Sequence, residues 1–208
     1  MTVKHWLFMA LAFAMASPLP ATADDGTDNV RAHLVPDVES IKPGEPFRVG
    51  VVLEMARAWH TYWRNPGDSG LATTIDWDLP EGFEASDIAW PYPHWLDLQG
   101  LVSLSYGDTV VLPVTIIPPA GLEPGSEVEL KADVDWLECK EMCLPGGASL
   151  TLKLPVGDGA KAAGDTAKTF AKTDRSLPVD GASWDNVNWC DVAQSWTDLY
   201  SEHLRNNS

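Results

Sequence analysis

From Val30 to Val156 the chain alternates apolar and polar residues with a period of two. In FRVGVVLEM, Phe47, Val49, Val51, Leu53 and Met55 fall on one face. TTIDWDL sets Ile75, Trp77 and Leu79 against Thr74, Asp76 and Asp78. TVVLPVTII contributes Val110, Leu112, Val114 and Ile116. EVELKADVDW contributes Val128, Leu130, Ala132, Val134 and Trp136, and ASLTLKL contributes Leu150, Leu152 and Leu154. Successive side chains of a strand point to opposite faces, so this pattern predicts half-buried β-strands. Turn signals separate them at Pro43-Gly44, Pro80-Glu81-Gly82, Pro118-Pro119-Ala120-Gly121, Pro124-Gly125 and Pro145-Gly146-Gly147. No helical period interrupts the span. About seven short strands at this spacing predict an all-β, immunoglobulin-like sandwich. Pro113 lies inside one strand and cannot donate to a ladder, so that strand should run at an edge there or carry a bulge.

Both ends have a different character. MTVKH, the apolar run WLFMALAFAMA and the small residues before Asp24 form a secretory signal peptide, with cleavage expected after Ala23. The run is too short to cross a bilayer, and the remainder has no apolar stretch near ~20 residues. Export to the periplasm as a soluble protein is therefore expected. After Val156 the chain turns small, polar and Ala-rich, as a linker or a marginal helix. Further on, Val192, Trp196, Leu199 and His203 recur at helical spacing. The expected domains are residues 1–23, the sandwich over 24–156, and an appendage over 157–208.

The formal net charge of −16 offers no basic stripe for phosphates, so nucleic acid is excluded as a partner. The same charge argues against an anionic membrane surface.

The candidate chemistry lies in DWLECKEMCLPGG, residues 135–147, which holds two of the three cysteines. Cys139 and Cys143 fall in the connection between two strands. A structural zinc site needs four ligands, commonly in two close pairs. Here there is one pair, and His33, His60, His94 and His203 are scattered. A thioredoxin-type site needs two intervening residues at a helix N-terminus in an α/β pattern, which is missing. Export to an oxidising compartment favours a disulfide. A bond closing so short a ring restricts the unfolded chain little, so it is a poor staple. A redox pair, a local loop staple and a soft Cu(I) site built from Cys139, Cys143, Met142 and His60 all remain open. The acidic neighbours Glu138 and Glu141 should disfavour thiolate and lean the pair towards electron donation.

HTYWRNPGDSGLATTIDWDLPEGF, LPVTIIPPAGL and VDWLECKEMCLPGGASLTLKLPV together resemble the N-terminal periplasmic domain of the DsbD/ScsB family of thiol:disulfide interchange proteins, in its ScsB-like branch. The resemblance covers about residues 30–156. It implies an immunoglobulin-like sandwich whose redox pair is Cys139 and Cys143, with Cys143 attacking the partner disulfide and with neither cofactor nor metal. It also implies a cap over the pair, for which YPHWLDLQGLVSLSY (92–106) supplies Trp95 and Leu96, and an aromatic strand end beside the pair that offers His60 and Tyr62. The implied partners are periplasmic thioredoxin-like or disulfide-isomerase proteins. Relatives of this kind continue into a membrane domain; this sequence ends at Ser208, so a membrane-embedded electron donor is expected on another chain. Cys190 matches nothing in the family and is read as a free thiol or an inter-chain link.

Overall fold

A computed structural model describes residues 25–178 except Gln99; the expected signal peptide, Cys190 and the Val192–His203 pattern lie outside the described residues. Eleven strands and one helix follow in order: β1 (Asp25–Gly26), β2 (Val30–Pro36), β3 (Phe47–Met55), β4 (His60–Gly67), β5 (Thr74–Asp78), β6 (Glu84–Ala85), β7 (His94–Leu98), β8 (Leu101–Gly107), β9 (Thr109–Ile117), β10 (Glu127–Cys139), β11 (Cys143–Pro155) and α1 (Gly164–Asp174). One sheet runs β1-β2-β3-β9-β6. The other runs β11-β10-β4-β8-β7, with β5 also paired to β10. The two pack face to face as an immunoglobulin-like sandwich. Its interior is the set of residues that alternation places inward: Val51, Leu53, Leu112, Val134, Trp136 and Leu150 at one end, and Phe47, Val49, Val114, Ile116, Leu130 and Leu154 at the other.

Pro113 pairs with Gly50 of β3, and its carbonyl accepts from Ala89 on the other side. The short β6 reaches only Ile116 and Ile117 of β9, so the missing N–H faces a loop and not a ladder. Pro145-Gly146-Gly147, read as a turn from the sequence, lies inside β11. β11 is an edge strand, where a proline is tolerated. Gly146 is flattened against the Trp136 indole, because a Cβ there would stand 2.3 Å from Nε1. The two long strands therefore continue to the cysteines, and only Lys140, Glu141 and Met142 connect them.

The segment beyond Val156 is sewn to the sandwich. Glu39 N–H donates to Ala160 O at 2.7 Å, and Ala162 N–H donates to Asp37 O at 2.9 Å. α1 then lies on the outer face of the first sheet. Gly50 leaves room there for Val111, Val35 and the buried Phe170 ring. Arg48 locks the helix in place: its guanidinium stands 4.9 Å above Phe170 and bridges Asp37 and Asp174.

Candidate redox site

The register of β10 sets the site. Val128, Leu130, Ala132, Val134, Trp136 and Glu138 all face the interior and are buried. Cys139 follows on the opposite face, directly across from Cys143 of β11 on one side and His60 of β4 on the other. The two cysteines form a disulfide with their Cα atoms 4.1 Å apart. Their exposure is unequal: Cys139 is 3% exposed, between two neighbouring strands, whereas Cys143 is open to solvent at the start of an edge strand. Exposed Met142 and Leu144 flank it.

His60 and Tyr62 share the face of the cysteines. Tyr62 Oη lies 3.9 Å from Cys143 Sγ and 3.2 Å from His60 Nε2. The two rings meet edge to face at 5.3 Å. Burial pushes the His60 imidazole below its ordinary value and the Tyr62 phenol above its own. Both rings are therefore neutral at neutral pH, and a chain of uncharged groups ends on the exposed sulfur.

A loop that the sequence presents only as NPGDSG holds Tyr62 in place. Gly70, at φ +107°, lies flat on the ring, where a Cβ would stand 2.3 Å from the ring carbons. Ala72 bridges Tyr62 through the backbone, and Ser69 hydrogen-bonds Ser103 at 3.0 Å. A glycine in such a loop is the sequence's hint of a positive φ or a close approach, but its target sits eight positions earlier and across a bulge.

The segment expected to cap the pair forms the β7–β8 hairpin, turning at Gly100. Tyr62 pairs with Ser105, Ser105 with His94, and Ser103 with Leu96. By alternation, His94 and Leu96 lie on the face of Tyr62, and Leu96 is half-buried. Trp95 pairs with Leu104 on the other face and is 65% exposed. The base of the hairpin is tied twice: Tyr106 Oη donates to Pro91 O, and Tyr92 N–H donates to Ser176 O, both at 2.7 Å.

One expectation about the electrostatics is corrected. Glu138 does not face the sulfurs. It points between the sheets, 1% exposed, and its carboxylate accepts from Thr27 Oγ1 at 2.7 Å, Asn29 Nδ2 at 2.8 Å and Trp136 Nε1 at 2.9 Å. Strand alternation is the reason, since residues 138 and 139 must point to opposite faces. Among the described residues, no three His, Cys, Asp or Glu side chains gather as a metal site, and no helix is long and apolar enough to cross a membrane.

The N-terminal periplasmic domain of ScsB from Proteus mirabilis has a similar structure, with 22% identity and a TM-score of 0.55. The match covers 74% of this chain and 57% of that one, so the present chain spans little more than half of the ScsB domain. The N-terminal domain of DsbD from Neisseria meningitidis, in its reduced form, is 15% identical over 62% of this chain and 90% of that one, with a TM-score of 0.29. No curated protein sequence matches. The family model described as thiol:disulfide interchange protein DsbD, N-terminal, matches residues 31–155, which takes in the disulfide, His60, Tyr62 and the β7–β8 hairpin. The matched residues include the Cys139–Cys143 disulfide, in keeping with thiol–disulfide interchange in general, and the chain belongs to that family.

Proposed function

We propose that this chain is a periplasmic electron carrier, loaded by a membrane-embedded donor and emptied by thioredoxin-like or disulfide-isomerase proteins. The supporting observation is the unequal exposure of the two sulfurs. In loading, a donor thiolate attacks Cys143 Sγ, the only one of the two sulfurs that a partner can reach. The S–S electron pair leaves on Cys139, which takes up a proton. A second donor thiolate then frees Cys143, and the donor departs as a disulfide. In unloading, Cys143 as thiolate attacks the acceptor disulfide and forms a mixed disulfide. Buried Cys139 attacks Cys143 in turn and releases the acceptor as a dithiol. Two electrons and two protons are transferred. Tyr62 touches the sulfur that becomes a thiolate and can stabilise it by donating a hydrogen bond. Leu96, on the face of Tyr62, shields the reduced pair from adventitious oxidants, and Trp95, on the other face, has at most an indirect part in this.

Trapping tests the roles. Cys139→Ser retains the attacking thiol and lacks the resolving one, so it should accumulate a mixed disulfide with the acceptor. Cys143→Ser should accumulate none and should lose reductase activity. If the trapping pattern is reversed, the assignment of the two roles is wrong. If the native disulfide resists all physiological dithiols in a thiol-trapping titration, it is a staple.

A further inference from the structure

The Glu138 carboxylate is buried at the last inward position before Cys139, where an apolar residue would continue the row. A buried carboxylate is costly unless its lone pairs are satisfied. Here three donors converge on it, from two separate parts of the chain's architecture. Trp136 belongs to β10 itself. Thr27 and Asn29 belong to the turn between β1 and β2, upstream of the family match at residue 31. That turn is anchored: Thr27 N–H donates to Val30 O at 2.8 Å, and Ala56 N–H donates to Asn29 O at 2.7 Å. Gly146 of β11 closes the network from the far side, since a Cβ there would stand 3.0 Å from Glu138 Oε2. The network thus ties β10 to the β1–β2 turn by hydrogen bonds and packs against β11 at Gly146, immediately below the cysteines and without touching either sulfur.

We infer that Glu138 is a positioning residue that keeps Cys139 and Cys143 in register once their bond has opened. When the disulfide is reduced, the ends of β10 and β11 are joined by the short connection 140–142 and by the last rungs of their ladder, where Pro145 has no N–H to give. If those ends frayed, the two thiols would separate and the dithiol would gain entropy. A pinned hairpin denies the dithiol that freedom and holds the thiols within reach of each other. By linkage, whatever the network contributes to pairing the strands in the dithiol also favours re-formation of the bond. The inference adds a determinant of redox poise to the carrier reading, but its test concerns the bond alone.

That test is the equilibrium of the full chain with glutathione, in which two glutathione thiols become one glutathione disulfide as the Cys139–Cys143 bond becomes two thiols. Glu138→Leu should raise the equilibrium constant for reduction about tenfold, the size expected from losing one to two buried hydrogen bonds. Thr27→Val and Asn29→Ala, which leave the hairpin sequence untouched, should each shift it in the same direction by a smaller factor. Ile116→Ala, in the core at the opposite end of the sandwich, should lower the melting temperature without moving the constant. The inference is overturned if Glu138→Leu melts lower in both redox states by equal amounts while its constant stays within twofold of the parent, or if Ile116→Ala moves the constant as far. Should Glu138→Leu fail to fold, unchanged constants in both Thr27→Val and Asn29→Ala overturn it. The answer is independent of whether any partner protein is ever reduced.

Discussion

At the residue scale, position decides chemistry: neighbouring side chains in a strand can have opposite roles. Cys139 and Glu138 are adjacent, yet one faces the redox site and the other the core. The period-two rule that identifies Val128, Leu130, Ala132, Val134 and Trp136 as core extends without change to Glu138. That burial was therefore legible, and reading the motif by residue type alone obscured it. The contact of Tyr62 with Cys143 was legible only through the family resemblance, not through pattern or spacing, because the two lie 81 positions apart and meet through the β10–β4 register. His60 yields a prediction at this scale. Burial lowers its pKa from 6.5 in the folded protein, and unfolding restores the ordinary value. Between the two values the unfolded state binds more protons, so this contribution is complete above pH 6.5 and is lost as pH falls towards the folded value. The melting-temperature difference between the parent and His60→Asn should therefore shrink from pH 8 to pH 5. Parallel profiles would show that the imidazole does not titrate on unfolding.

At the element scale, strands with one buried face announce themselves and strands without one do not. β10 buries an alternate row, β3 and β9 bury that row and also Val52 and Val111 on the outer face, and all three contain the inward residues predicted from the sequence. The β7–β8 hairpin buries little beyond Ser103, Ser105 and Tyr106, so its sequence carries no clean alternation and reads as a loop. Its role as a cap is tested by Trp95→Ala combined with Leu96→Ala. Both residues stand on β7, an edge strand without a row of its own in the core, so the global stability cost should be about 1 kcal/mol or less. Alkylation of the reduced cysteines by iodoacetamide should accelerate several-fold. Unchanged alkylation with a large loss of stability would make the hairpin a packing element and remove the shielding role. The register already separates the two side chains, since Leu96 shares the face of Tyr62 and Trp95 does not. The single Leu96→Ala variant should therefore carry most of the acceleration.

At the scale of the whole molecule, the family match ends at Pro155 but the packed structure does not. From composition, residues 157–178 read as a polar linker or a marginal helix, and the helix is present as α1, with only Phe170 and Thr173 buried. One aromatic ring in eleven helical residues leaves almost no periodic signal, yet it fills the gap over Gly50 and Val111 and draws Arg48 across it. The ion pairs of Arg48, exposed at Asp174 and partly buried at Asp37, add little by themselves; burial of the ring is the larger contribution, about 3 kcal/mol or more. The same segment carries Ser176, whose carbonyl holds the base of the β7–β8 hairpin at Tyr92. A chain ending at residue 156 therefore loses both the cover of the first sheet and one of the two ties on the cap. Compared with a chain of residues 24–178, one of residues 24–156 should melt about 10 °C lower, at roughly 3–4 °C per kcal/mol for a domain of this size. It should still form the Cys139–Cys143 disulfide, because the β10–β11 register does not involve the helix. Phe170→Ala in the longer chain should reproduce most of the loss, whereas Lys168→Ala, on the exposed side of the same helix, should not. Equal melting temperatures for the two chain lengths would mean that the segment after Val156 rests on the sandwich without stabilising it.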